Sequence, residues 1–196
     1  EPDVQTAKVV DYLNKENAYK TEVMKGTESF QEALFDEIVG RIKQDDQSPP
    51  VLDKGFYYYS RYEEGKEYAI YCRKQGSMDA EEQVMLNVNE MAEGFNYFSV
   101  GGQSISTSNN LLAFSIDTVS RREYTLQFKD LSTGEILADR IPGTTGGATW
   151  ANDNKTVFYS KKDPVTLRSS RIYKHVLGSD ASEDVMVYEE ADETFG

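Results

Sequence analysis

Residues Ile105-Ser106-Thr107-Ser108-Asn109-Asn110-Leu111-Leu112-Ala113-Phe114-Ser115 lie without a gap over Trp150-Ala151-Asn152-Asp153-Asn154-Lys155-Thr156-Val157-Phe158-Tyr159-Ser160. Each stretch runs from an apolar residue through a polar turn into a short apolar strand that closes on serine. Asn stands at the same point of both turns, where its short polar side chain tolerates left-handed backbone. Ser60, which ends the strand Phe56-Tyr57-Tyr58-Tyr59, joins the same register. Beyond each serine the pattern continues. Ile70, Leu126 and Ile172 fall in a second strand, and Val84-Met85-Leu86, Glu135-Ile136-Leu137 and Val185-Met186-Val187 in a third. Period-two alternation along Tyr68, Ile70, Cys72 and along Tyr124, Leu126, Phe128 marks half-buried strands.

The three serines are 55 and then 45 residues apart. Four strands in ~40–50 residues is the size of a propeller blade, although any antiparallel meander with regular turns shows similar spacing. The first repeat departs from the others. The position matching Ile105 and Trp150 is Pro50, so its inner strand is expected to be missing locally or supplied elsewhere. Blades close into a ring at ~4–8, and about three repeats leave two sheet flanks that need covering. The expected fold is mainly β: N-terminal helices, then about three antiparallel four-stranded blades of a partial β-propeller. The second and third sheets are expected to pack face to face, with Ile105 and Trp150 at equivalent inner-strand sites.

Before Pro49-Pro50 the period is helical. Phe30, Leu34, Ile38 and Ile42 recur every four residues, and Phe35 and Val39 widen the stripe. Ser29 with Glu32 is a capping-box pattern. Val9 or Val10 with Leu13, Ala18 and Val23 makes a weaker stripe, stopped by Gly26. Helices are expected over 4–24 and 29–44, and a single turn within 88–95. The division is 1–48, a helical extension, and 49–196, an incomplete propeller.

Composition narrows the partners. The chain has 196 residues, 38% hydrophobic and 28% charged, with 13 Tyr, 9 Phe and a net charge of −13. Aromatic richness argues against wholesale disorder. The acidity excludes nucleic acid and anionic membrane as partners. No apolar run approaches ~18 residues, and the first nineteen residues lack the apolar core of a signal peptide. The lone Cys72 suits a reducing compartment. The cytoplasm is the expected location, with the periplasm still open.

A set of strings then carries a resemblance: Tyr12-Leu13 with Glu16-Asn17-Ala18-Tyr19; Glu37-Ile38-Val39-Gly40-Arg41-Ile42-Lys43-Gln44; and Tyr57-Tyr58-Tyr59-Ser60-Arg61. It continues through Tyr71-Cys72-Arg73-Lys74, Ala92-Glu93-Gly94, Ser115-Ile116-Asp117, Arg122-Glu123-Tyr124-Thr125-Leu126 and Lys129-Asp130-Leu131-Ser132-Thr133-Gly134-Glu135. It closes with Tyr188-Glu189-Glu190-Ala191-Asp192-Glu193 and Phe195. In order, these strings resemble the oligopeptidase B (protease II) branch of the prolyl oligopeptidase family of serine peptidases. One departure is the turn Thr107-Ser108-Asn109-Asn110, where that family usually carries Ser-Pro-Asp-Gly. The resemblance implies a two-domain parent that cleaves after Arg or Lys, in which a propeller filters peptides entering an α/β-hydrolase domain. That domain, with its catalytic residues, would lie downstream as the intramolecular partner. Short basic peptides would be substrates, and the isolated segment would self-associate through helix 29–44 or its terminal blade. A free-standing β-rich binding or scaffold module is the alternative.

The residues themselves offer no catalytic set. There is no Gly-x-Ser-x-Gly elbow for a nucleophile, and His175 is the single imidazole available as a base. In the repeat register His175 matches Lys129, which makes it a strand-surface or network residue. One His and one Cys cannot supply the three or four ligands of a zinc site, and no cofactor is expected. Catalytic residues are therefore none, and substrate-binding residues are not assigned. Gly101-Gly102 and Gly146-Gly147 lack the Gly-Lys-Ser/Thr of a phosphate loop and are read as close backbone packing. Asn154-Lys155-Thr156 fits a glycosylation sequon but has no secretory context. From His175 onward there are seven acids and no Lys or Arg, read as solvated hairpin edges ahead of a wall attracting basic peptides.

Overall fold

The computed structural model describes residues 4–195. Two compact units divide between Gln44 and Asp45. The first is helical: α1 (Val4–Met24), a 3-10 turn (Lys25–Thr27) and α2 (Glu28–Gly40). Gly26 therefore tightens the helix into one turn before α2 resumes. The capping box at Ser29 does not form, because α2 starts ahead of it with Thr27 at the N-cap. The Thr27 hydroxyl donates to the Met24 carbonyl at 2.7 Å and accepts from the Gln31 amide at 2.7 Å. The helix also ends early, at Gly40, where Arg41 N–H turns back to the Ile38 carbonyl. Phe30, Leu34, Phe35 and Ile38 on α2, and Ile42 beyond it, are exposed.

The second unit is an antiparallel meander. Strands β1 (Val51–Asp53), β2 (Phe56–Arg61), β3 (Ile70–Gln75) and β4 (Glu82–Asn87) form a four-stranded sheet in sequence order. The short helix α3 (Val88–Met91) supplies the turn expected within 88–95. Strands β5 (Ser99–Ile105), β6 (Leu111–Asp117), β7 (Tyr124–Asp130) and β8 (Ile136–Trp150) follow, then β9 (Thr156–Lys161), β10 (Arg171–Val176) and β11 (Val185–Glu189). These seven form one sheet. The second and third repeats are thus joined by β8, which pairs with β7 through Ile136–Thr144 and with β9 through Thr144–Trp150. The register shifts between Thr144 and Ala148, where Gly146 takes φ +100°, a conformation that glycine adopts without the steric cost of a Cβ and that lets the chain change partners.

The pairing bears out the register of the second and third repeats, but not two separate four-stranded sheets packed face to face: the unbroken run of β8 makes them one seven-stranded sheet. Ile105 faces Leu112 and Trp150 faces Val157, each three residues before the closing serine. The first repeat needs a correction. Its inner strand is present as β1, and the residue in the equivalent pair is Leu52, facing Tyr57, rather than Pro50. The hairpin through Lys54-Gly55 is shorter than its counterparts, which hides the strand from a gapless alignment. The prolines lack N–H groups. Ahead of them Ser48 N–H donates to the Ser60 carbonyl at 2.8 Å, and the Ser48 hydroxyl accepts the Ser60 N–H at 2.9 Å. A second correction concerns β3. Ser60 faces Tyr71, as Ser115 faces Leu126 and Ser160 faces Ile172, so Ile70 is one residue out of register and points to the other face.

Alternation divides the core into layers. Leu112, Phe114 and Leu131 pack with Met85 and Leu86 of the first sheet. Ala113, Leu126, Phe128 and Ile141 pack with Trp150, Val157 and Tyr159 across the shared strand, with Phe128 and Trp150 edge to face at 5.8 Å. The second repeat is therefore buried on both faces, each fully buried side chain contributing roughly 1.5–3 kcal/mol. Tyr59, Ile70 and Cys72 form a third, smaller cluster.

Candidate functional site

The two Asn-bearing turns behave as their sequence suggests. Asn109 and Asn154 take φ +62° and +58°. Each also reaches the preceding repeat or is reached by it. Asn154 Oδ1 accepts from Thr107 Oγ and Ser108 N–H, both at 2.7 Å, and Asn109 Nδ2 donates to the Lys54 carbonyl at 3.2 Å. The sequon asparagine is thus engaged in the joint between two turns.

The glycine pairs meet. A Cβ on Gly102 would stand 2.5 Å from the Gly146 carbonyl oxygen, and one on Gly101 would stand 2.3 Å from Ser115 Oγ. Ser115 donates to that same Gly146 carbonyl at 2.7 Å. Inner strands β5 and β8 approach too closely for side chains, which is the packing role read from the sequence.

His175 is buried rather than on a strand surface. It faces Val157 as Lys129 faces Leu112, so the register match holds. Its Nδ1 lies 2.6 Å from Asp184 Oδ1, and its Nε2 lies 3.1 Å from Asp139 Oδ1. Both ring nitrogens are held by carboxylates, so neither is offered to a hydroxyl or thiol nucleophile. Cys72 is fully buried, and desolvation, followed by the nearby Glu82 charge, pushes its thiol up to about 11. A thiol held protonated is a weak nucleophile. Beside it, Glu82 accepts the Tyr59 hydroxyl at 2.5 Å and the Arg61 guanidinium at 3.0 Å. Burial and that hydrogen bond raise the Tyr59 phenol. In the third repeat Tyr159 donates to Asp184 at 2.6 Å and is raised for the same reasons.

In each repeat the connection after the second strand lies at the end where the first strand begins. Residues 118–123 there are organised by Asp117, whose place in the string Ser115-Ile116-Asp117 gives no sign of this role. Its buried carboxylate accepts the N–H groups of Val119, Ser120 and Arg122 at 2.7–3.0 Å. Desolvation opposes its ionisation, but those backbone donors hold it below the usual carboxylate range. Ser120 and Arg122 are left-handed, and Lys162 donates to the Arg122 carbonyl at 2.6 Å. A cleft of about 240 Å³ lies against this loop, lined by Arg121, Glu123, Pro142 and Gly143 among others. The acid-rich end is largely committed to local structure. Asp184 holds His175, Glu189 pairs with Arg171 at 2.8 Å, Glu190 accepts from Tyr188, and Asp180 and Asp192 cap their own turns. Among the described residues, no group of three or more His, Cys, Asp or Glu side chains is arranged to hold a metal ion.

Comparison with known proteins agrees with this architecture. Residues 2–196 match the family described as prolyl oligopeptidase, N-terminal beta-propeller domain. The chain is 40% identical to dipeptidyl aminopeptidase BI of Pseudoxanthomonas mexicana, covering 97% of this chain and 28% of that protein. It is 36% identical to Protease 2 of Moraxella lacunata, covering 98% of this chain and 29% of that protein. Oligopeptidase B from Leishmania major superposes with a TM-score of 0.85 at 34% identity, over 94% of this chain and 26% of the other. The chain therefore spans under a third of each of these relatives. With family, relatives and fold in agreement, this chain belongs to the prolyl oligopeptidase family, as its N-terminal β-propeller domain.

Proposed function

We propose that this chain supplies the first three blades of a propeller covering the active site of a serine oligopeptidase that cleaves short peptides after Arg or Lys. Its part is to restrict entry, and the nucleophile, acid and base belong to an α/β-hydrolase domain of the same parent. The observation that carries this reading is the 36% identity to Protease 2 along nearly the whole chain. The terminal strand supports it over a free-standing module. Val185, Met186, Val187 and Tyr188 of β11 are exposed, whereas Met85, Leu86 and Ile141 on the corresponding strands are buried by the next repeat. A following blade would cover them, as a hydrolase domain would cover the apolar stripe of α2. Without those covers, the same surfaces favour self-association. The buried, protonated Cys72 suits either compartment, and the cytoplasm is the proposed one.

The 40% identity to a dipeptidyl aminopeptidase favours a second reading, release of dipeptides from free N-termini. The test is cleavage by the parent reading frame of N-terminally blocked Arg and Lys amides, unblocked dipeptidyl amides and folded proteins. The first reading expects turnover of blocked short peptides and sparing of folded substrates. Turnover of unblocked dipeptidyl amides alone would transfer the proposal to the aminopeptidase, and no turnover of either would end both. The 196-residue chain assayed alone is expected to be inactive.

A further inference from the structure

The position of His175 recurs in all three repeats. Lys74 faces Tyr57, Lys129 faces Leu112 and His175 faces Val157, each three residues before its closing serine. The first two are cations that donate to backbone carbonyls. Lys74 reaches Met78 O at 2.8 Å in the turn after its own strand, and Lys129 crosses to Met85 O on the preceding sheet, also at 2.8 Å. His175 crosses likewise, but its acceptors are side chains: Asp139 on the half of β8 that pairs with β7, and Asp184 just before β11. The imidazole is fully buried, and the two acids are 8% and 2% exposed.

Donor counting favours a ring that donates from both nitrogens. Asp139 Oδ1 also accepts the Gly178 N–H at 2.5 Å, and Asp184 Oδ2 accepts the Tyr159 hydroxyl at 2.6 Å. Each acid thus accepts from a further donor, and an ionised carboxylate can only accept. A neutral imidazole has one N–H and one lone pair, so it would set that lone pair against one of these anionic oxygens in a buried site. The ring instead stacks on Phe128 at 5.9 Å and 14°, where the aromatic face accommodates a cation. Asp139 meets it from β8 and Asp184 from the approach to β11, and Tyr159 of β9 is tied to it through Asp184.

We propose that His175 donates from both ring nitrogens and is the charge pin of the joint between the two halves of the seven-stranded sheet, in the place Lys129 holds one repeat earlier. The chain contains one histidine, so the ring 15N spectrum of the labelled protein is unambiguous. Two protonated nitrogens are expected, and one protonated beside one bare nitrogen overturns the proposal. In parallel, His175→Gln strands a buried carboxylate and should lower the melting midpoint by roughly 6 °C or more. Adding Asp139→Asn should recover part of that loss by removing the stranded charge. A double variant no more stable than His175→Gln would overturn the pin. If the variants fail to fold, the spectrum of the unaltered chain still decides.

Discussion

The second repeat is clamped on both faces, and the two joints are built differently. Toward the first sheet, the apolar layer of Met85, Leu86, Leu112 and Phe114 is rimmed by long side chains that reach across to backbone. Arg73 donates to the Asn109 carbonyl at 2.6 Å, Gln83 to Leu131 and Lys129 to Met85. Toward the third repeat, one strand runs through both repeats within a single sheet, and glycine meets glycine at the inner edge. Trp150 donates to the Ser104 carbonyl at 2.9 Å, and His175 lies between two acids. The first joint joins separate sheets through flexible donors, and an apolar cleft of about 360 Å³ lined by Tyr58, Tyr71, Gln103 and Ile105 remains beside it. The second is set by backbone contact, which tolerates far less adjustment.

The largest expected effect breaks each core in turn. Phe114→Ala and Phe128→Ala should each cost about 3–5 kcal/mol in urea unfolding, since both side chains are fully buried. Phe128→Ala should be the worse of the two, because it also removes the face on which His175 stacks. Equal losses would mean that the stack contributes nothing measurable.

A smaller effect sharpens the contrast at the inner edge. Gly102→Ala places a methyl against the Gly146 carbonyl, a backbone atom that cannot rotate away, and should cost roughly 1–3 kcal/mol. Gly40→Ala, at the end of α2 with nothing within 4 Å, should be neutral or mildly stabilising. A tolerated Gly102→Ala would show that the inner strands can separate and that the second joint is no stiffer than the first.

The smallest is an acid titration. Asp117 is depressed in the folded chain, so its contribution is present above the unfolded carboxylate value of ~3.9 and is lost as pH falls through the lower folded value. Asp117→Asn should flatten that limb of the stability–pH curve and cost about 1–2 kcal/mol at pH 7. It should leave the first joint intact, because loop 118–123 touches the third repeat through Lys162. An unchanged acid limb would remove Asp117 as its cause.

Much of this was legible beforehand because it depends on local chemistry. The gapless overlay of Ile105–Ser115 on Trp150–Ser160 survives as real pairing, and the two asparagines supply left-handed turns, since both features follow from chain-local geometry. The misreadings came where local signals compete with neighbours. Ser29 and Glu32 spell a capping box, but the helical hydrogen bonds begin earlier. Pro50 in the gapless register predicts a missing strand, but a shorter hairpin shifts Leu52 into its place.

Sequence alone determined the register of the second and third repeats, the inner glycines, the absence of an elbow serine and the family strings, because periodicity and residue type act within a few residues. Tertiary structure alone decided that β8 joins two repeats in one sheet and that His175 meets Asp139 and Asp184. It also decided that the lone thiol is buried and held protonated. Those outcomes depend on which strands lie side by side, and side-chain partners far apart in the chain are chosen only when the sheets pack.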